Sequence, residues 1–190
     1  MTQHEQLWAP WRLAYISGQG DPAGPSSEPE PLEDLKLRPG ADPECFLCRA
    51  AVSEAQRENL VVERTELSLV ILNRFPYNNG HLLVSPLAHQ GRLDELAEHE
   101  QVDLQRLMSK YVGIIERTMD AQGFNIGLNL GRVAGAGVPG HLHWHIVPRW
   151  HGDTNFMPAL ANVRVIPQSL DALWQIVRDA QSPRGPSTSA

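Results

Sequence analysis

Two hydrophobic periods divide the chain into elements. From Leu60, Leu60-Val61-Val62-Glu63-Arg64 and Leu67-Ser68-Leu69-Val70-Ile71-Leu72 are apolar runs of strand length, and the short polar break between them predicts a β-hairpin. A turn cluster follows from Asn73 to Gly80, with Pro76, Asn78 and Asn79. His81-Leu82-Leu83-Val84-Ser85 then predicts a third strand, ended by Pro86. Between Glu98 and Asp120, apolar positions fall at Val102, Leu104, Leu107, Met108, Tyr111, Ile114 and Ile115. That mostly three-and-four spacing lays one stripe along a helix, which Gly123 is expected to close. Phe124 to Leu130 predicts a strand, Gly131 to Gly140 a glycine-rich loop, and His141 to Val147 a strand ended by Pro148. After Pro167, Leu170, Leu173, Trp174 and Val177 predict a C-terminal helix. Short links between successive strands favour an α+β fold: an antiparallel sheet, a long helix packed on one face, and the C-terminal helix.

The flanks have a different texture. Ser17 to Asp42 carries Pro22, Pro25, Pro29, Pro31 and Pro39 among glycines, serines and acids, a composition that buries too little apolar surface to order itself. Ahead of it, Leu7-Trp8-Ala9-Pro10-Trp11-Arg12-Leu13-Ala14-Tyr15-Ile16 holds aromatics that a free tail has no reason to expose. The expected organisation is a docking segment over 1–16, a flexible connection over 17–42, one folded domain over 43–181 and a disordered tail over 182–190.

Composition then narrows the classes. A chain of 190 residues can bury a core without covalent staples. Its formal net charge is −6 and its basic residues are scattered, which argues against a nucleic-acid partner. No apolar stretch approaches the roughly 20 residues that span a bilayer. The first residues lack the charged-then-apolar design of a signal peptide, so no membrane partner and a cytoplasmic address are expected. Small anionic ligands remain open, because they need local donors rather than global charge.

Candidate chemistry concentrates in His141-Leu142-His143-Trp144-His145. On an extended strand His141, His143 and His145 share one face, while Leu142, Trp144 and Ile146 share the other. Three imidazoles in alternation exceed what an open strand face needs, leaving a metal site or a nucleophile. A neutral imidazole attacks phosphorus well, and a phosphoramidate splits one hard displacement into two easier ones. One ring nitrogen must carry the lone pair while the other is held protonated. The middle residue, His143, is the natural attacker, since its neighbours can orient phosphate oxygens or donate to the leaving group. Upstream, Gly127 to Gly137, including Gly135, supplies backbone free to approach a phosphate and present amides to it.

Cys45-Phe46-Leu47-Cys48 has the spacing of half a tetrahedral zinc site, and two cysteines are too few for a disulfide framework. A redox pair or two packed thiols are the rival readings. Trp8, Trp11 and Trp150 are either base-stacking faces or packing anchors.

The run His141-Leu142-His143-Trp144-His145-Ile146-Val147 resembles the signature of the histidine-triad superfamily. The resemblance extends to Asn73-Arg74-Phe75-Pro76-Tyr77-Asn78-Asn79-Gly80-His81 and to Pro148-Arg149-Trp150 with Gly152-Asp153-Thr154-Asn155-Phe156. With the Leu7 to Tyr15 element, these runs look like the bacterial branch that includes diadenosine tetraphosphate phosphorylases. The resemblance implies a homodimer with a sheet running across the interface, and a two-step cleavage of a nucleoside polyphosphate. In it His143 attacks the α-phosphorus and water or phosphate releases the nucleotide. It assigns Asn73 to the ribose, Asn129 to the phosphate or leaving group, His145 to a phosphate oxygen and His81 to a supporting role. Zinc-bearing relatives imply His89 and His141 as the partners of Cys45 and Cys48. Gly137 departs from the pattern, since many members place Ser or Gln there, so a hydrogen bond to the leaving group must come from backbone. A hexose-1-phosphate nucleotidyltransferase-like enzyme and a non-catalytic nucleotide-binding protein are the alternatives; His145 disfavours the first, whose members carry Gln at that position.

Overall fold

The computed structural model describes residues 35–153 and 166–181. The expectations for 1–16 and 182–190, and for the 17–42 connection as far as residue 34, lie outside the described residues.

Five antiparallel strands form one sheet in the order β1-β2-β3-β5-β4. β1 is Val61–Arg64, β2 Ser68–Leu72, β3 Leu82–Pro86, β4 Gly123–Leu128 and β5 Trp144–Arg149. The hairpin expected over 60–72 is β1 and β2, paired through Arg64 and Leu69. β2 and β3 are buried along their whole length, which explains their nearly unbroken apolar sequence: each has a strand on both sides and cover on both faces.

Among the described residues there are three α-helices: α1 (Phe46–Ala50), α2 (Glu98–Met119) and α3 (Leu170–Asp179). The stripe of α2 is the predicted one, with Leu104, Leu107, Met108, Tyr111, Ile114 and Ile115 buried. Val102, the fifth residue of the helix, is the exception at 41 % exposure. At the N-terminus of α2 the Glu100 carboxylate accepts from the Ala97 amide at 2.8 Å, which satisfies one of the helix's leading donors. α3 starts at Ser169, whose Oγ accepts from the Ala172 amide at 3.2 Å. It lies along β1: Trp174 Nε1 and Arg178 Nη1 donate to the Val61 and Val62 carbonyls at 2.8 and 2.7 Å, and Arg57 clasps Asp171. One sheet edge is therefore covered, whereas β4 is the other.

Several boundaries differ from the sequence reading: β3 starts at Leu82 and includes Pro86, which pairs with Ser68. α2 ends at Met119 with Asp120 in the left-handed region at φ 50°, and Gly123, expected to close the helix, opens β4. Asp120 stores local strain and places a negative charge at a helix C-terminus, so Asp120→Gly is expected to raise stability by about 1 kcal/mol, read as a higher Tm. β4 stops at Leu128 rather than Leu130, ahead of Gly131 at φ 82°. The strand expected over His141 to Val147 begins three residues later and runs through Pro148, which pairs with Phe124. Pro148 is tolerated because β3 pairs only as far as Ile146, so its missing N–H leaves no β3 carbonyl unmet.

Candidate functional site

Trp144 lines a groove with Met108 and Val112, so the Trp144 face of β5 looks at α2. His145, one residue on, points to the opposite face, where it pairs across the strands with Leu83. The His143 ring stands beside it at 5.2 Å between centroids. The common face inferred from alternation thus holds for these two. His141 lies ahead of the strand, and its ring turns into a separate cluster 5.1 Å from the ring of His89.

Each of the three imidazoles is held by a different partner, and the partner fixes the tautomer. His143 Nδ1 lies 2.8 Å from the His141 carbonyl, which can only accept, so Nδ1 carries the proton and Nε2 the lone pair. Burial is the larger influence on this ring, which is 6 % exposed, and it lowers the pKa, so the imidazole stays neutral. His81 Nδ1 accepts from the Tyr77 amide at 3.0 Å. The Asn73 amide nitrogen stands 3.2 Å from the same atom, its orientation set by Phe75 N–H donating to Asn73 Oδ1 at 2.9 Å. His81 must therefore protonate Nε2, which donates to His145 Nδ1 at 3.0 Å. His145 then bears its own proton on Nε2. The pair so built is a lone-pair imidazole next to an N–H donor imidazole, the complementary groups that phosphoryl displacement requires.

The loop before these residues contributes backbone. Gly131 and Gly135 both take positive φ, 82° and 89°, around a single 3₁₀ turn at Arg132–Ala134. Asn129 Nδ2 reaches the Gly135 carbonyl at 3.5 Å, and Gly137 is exposed.

The second cluster joins Cys45, Cys48, His89 and His141, whose donor atoms all lie within 4.8 Å of one another. Cys48 Sγ is 3.2 Å from His89 Nδ1 and 3.5 Å from His141 Nδ1, and Cys45 Sγ is 3.3 Å from the latter. Zn–S bonds of about 2.3 Å and Zn–N bonds of about 2.0 Å would set neighbouring donors roughly 3.3–3.8 Å apart, close to what is seen. The outer partner also fits: His141 Nε2 donates to the Pro86 carbonyl at 2.9 Å, leaving Nδ1 with its lone pair toward the thiols. Burial pushes the His141 pKa down to about 4 and the Cys45 thiol up to about 12, so burial disfavours the charged forms of His141 and Cys45. The donor set, the tautomer and the spacing fit a zinc ion.

α1 was not evident in the sequence, being a single turn. It starts immediately after Cys45 and carries Cys48 back toward it. Sequence reading also missed Gly140. A Cβ there would lie 2.9 Å from His89 Nε2, so only glycine lets the His89 loop approach the chain entering His141. Tyr77 was missed too: besides its amide, its ring stacks on His145 at 5.7 Å. Trp150 proves to be a packing anchor, its indole donating to the Met119 carbonyl at 3.0 Å. Trp8 and Trp11 lie outside the described residues.

A five-stranded antiparallel sheet with His145 on β5 and His143 beside it on the chain entering that strand, and with His141 turned into a thiol-containing cluster, defines the class: a histidine-triad fold. The chain belongs to the HIT domain family, whose model matches residues 54–152. It is 36 % identical to an AP-4-A phosphorylase of Mycobacterium tuberculosis over 168 residues, 88 % of this chain and 80 % of that protein. A bis(5'-nucleosyl)-tetraphosphatase [asymmetrical] of Schizosaccharomyces pombe is 40 % identical over 93 residues, 49 % of this chain and 50 % of that one. Among solved structures, a Zn-bound histidine triad family protein from Mycobacterium smegmatis is similar with a TM-score of 0.53 and 27 % identity, covering 64 % of this chain and 82 % of that one.

Proposed function

We propose that this protein cleaves a dinucleoside tetraphosphate at an α-phosphate, with His143 as nucleophile, inorganic phosphate as acceptor and zinc as a structural ion. The observation that carries the reading is the His143–His145 pair, in which one ring is fixed with its lone pair on Nε2 and the other with its proton on Nε2. His143 Nε2 attacks the α-phosphorus, the bond to the bridging oxygen breaks, and a nucleoside triphosphate leaves with the electron pair. His145 Nε2–H stands to bind a phosphate oxygen, and the carbonyl of His141 stabilises the charge that develops on His143. Phosphate then displaces the histidine from the nucleotidyl group, giving a nucleoside diphosphate and restoring the imidazole. Asn73 and Asn129 take the ribose and the phosphate or leaving group, and the loop at Gly135 and Gly137 lets backbone approach the phosphate chain, the Gly135 N–H itself being held by the Arg132 carbonyl at 3.0 Å. Phosphate rather than water is favoured by the likeness to the M. tuberculosis phosphorylase, which extends along most of both chains.

The test incubates the protein with diadenosine tetraphosphate with and without phosphate and identifies the products. ADP and ATP appearing only with phosphate is the expected outcome. AMP and ATP in its absence, at the same rate, would move the assignment to hydrolysis, and no turnover with either would refute the reading.

Cys45, Cys48, His89 and His141 hold the ion, which supplies a structural cross-link between α1, the His89 loop and the chain entering β5. A cation there would replace thiol protons and supply the positive charge that buried thiolates need.

The β4 edge, which no described element covers, supports a homodimer. Ile126 of β4 is 47 % exposed and borders the same groove as Met108 and Val112. An edge strand of this kind invites pairing with a second copy. Ile126→Lys is expected to shift the protein to monomer in sedimentation velocity; an unchanged dimer would place the interface elsewhere.

A further inference from the structure

The carboxylate of Asp153, 9 % exposed, is used entirely within the protein. Arg149 grips it with two nitrogens, Nε to Oδ2 at 2.6 Å and Nη2 to Oδ1 at 2.9 Å. Trp150 N–H donates to Oδ2 at 3.2 Å, closing a tight turn at the end of β5. A further donor comes from another part of the fold: Asn78 Nδ2 reaches Oδ2 at 2.8 Å and the Pro148 carbonyl at 3.0 Å. Arg149 Nη1 completes the network by donating to Asn125 Oδ1 on β4 at 2.9 Å.

Asn78 belongs to the turn whose geometry decides the protonation pattern of the site. Its carbonyl accepts from the His81 amide at 3.3 Å, and its neighbour Tyr77 supplies the N–H that holds His81 Nδ1 as an acceptor. Gly80 packs directly on Pro148, where a Cβ would sit 3.1 Å from the proline ring. The 73–81 turn is thus fastened to the end of β5, the strand that carries His145.

We propose that Asp153 is a positioning residue for His145. Its carboxylate clamps Asn78, hence the Tyr77 amide, hence the His81 tautomer, and so determines that His145 presents an N–H. This rests on the donor role given to His145 above. Asp153's described hydrogen bonds go to Asn78, Arg149 and Trp150, so the influence proposed here passes through the turn.

The experiment combines kinetics with the His145 tautomer read by nitrogen NMR in protein labelled at histidine. In the wild type His145 is expected to show a bare Nδ1 and a protonated Nε2. Asp153→Ala is expected to mix the tautomers and to lower kcat about tenfold with a much smaller change in KM, the size of coupling usual between residues of one network. Asn78→Ala cuts the clamp without disturbing the Arg149–Asp153 pair and is expected to do the same. In a His81→Ala background the Asp153→Ala effect on kcat is expected to vanish. Independent, multiplying effects of Asp153→Ala and His81→Ala, or an unchanged His145 tautomer in folded Asn78→Ala protein, would overturn the proposal. A tautomer change in a protein with no turnover would sustain the clamp and refute the enzymatic reading instead.

Discussion

His143→Asn is expected to lower kcat by about ten-thousand-fold or more, because no neighbouring group can take over formation of a covalent intermediate. The His141 carbonyl, which holds Nδ1 in the wild type, can accept from the asparagine amide instead, so the local hydrogen bond and the fold should survive. Asparagine is a better probe than glycine: the ring is 6 % exposed, and deleting it would leave a cavity in a packed site. Rapid quenching with diadenosine tetraphosphate labelled on the α-phosphate should trap a nucleotidyl protein in the wild type and none in the variant. A variant that keeps wild-type kcat would remove His143 from the mechanism. His145→Asn should cost less, since an asparagine amide can still donate to a phosphate oxygen.

Cys48→Ser should reduce bound zinc from about one per chain to below about one tenth and lower stability by roughly 3–5 kcal/mol. Cys48 is the best choice because its sulfur is close to both histidine donors, at 3.2 and 3.5 Å. Losing the ion returns a cluster of buried, partly unpaired polar groups to the protein, and the cross-link between α1 and the chain entering β5 is lost with it. Elemental analysis of protein purified without chelator, followed by thermal denaturation with and without added zinc, measures both effects. Active wild-type protein holding less than a tenth of an equivalent of zinc would sink the assignment. Stability equal to wild type in the zinc-free variant would show that the cluster stabilises nothing.

The elements with long, regular patterns were legible without coordinates. The stripe on α2, the paired runs of β1 and β2, and the apolar β3 follow from periods that a single solvent-exposed or buried face imposes. What escaped were features set by a few contacts. Asp120 rather than Gly123 ends α2 because the turn there is tight, and the sequence has no rule against an aspartate taking the left-handed conformation. α1 has one turn, too short for any periodicity, and it is held by its buried residues Leu47, Cys48 and Ala50. Pro148 reads as a strand terminator until the length of β3 is known.

The histidine alternation shows where the division falls. Residue type and spacing determined that His143 and His145 lie together on a face without structural need of them, and that Cys45 and Cys48 lie within reach of one ion. Local chemistry is enough for that, because a strand's period and a four-residue turn depend on no distant contact. Which ring nitrogen of each histidine holds its proton was decided only in the tertiary structure. Those protons are placed by the Pro86 carbonyl, the His141 carbonyl and the Tyr77 amide, and two of these come from other segments brought alongside by the sheet. The tautomers give the three rings different faces: His141 turns its lone pair to the thiols, His143 carries a lone pair on Nε2 and His145 a proton there, a distinction that depends on which hydrogen-bonding partners folding brings to each ring.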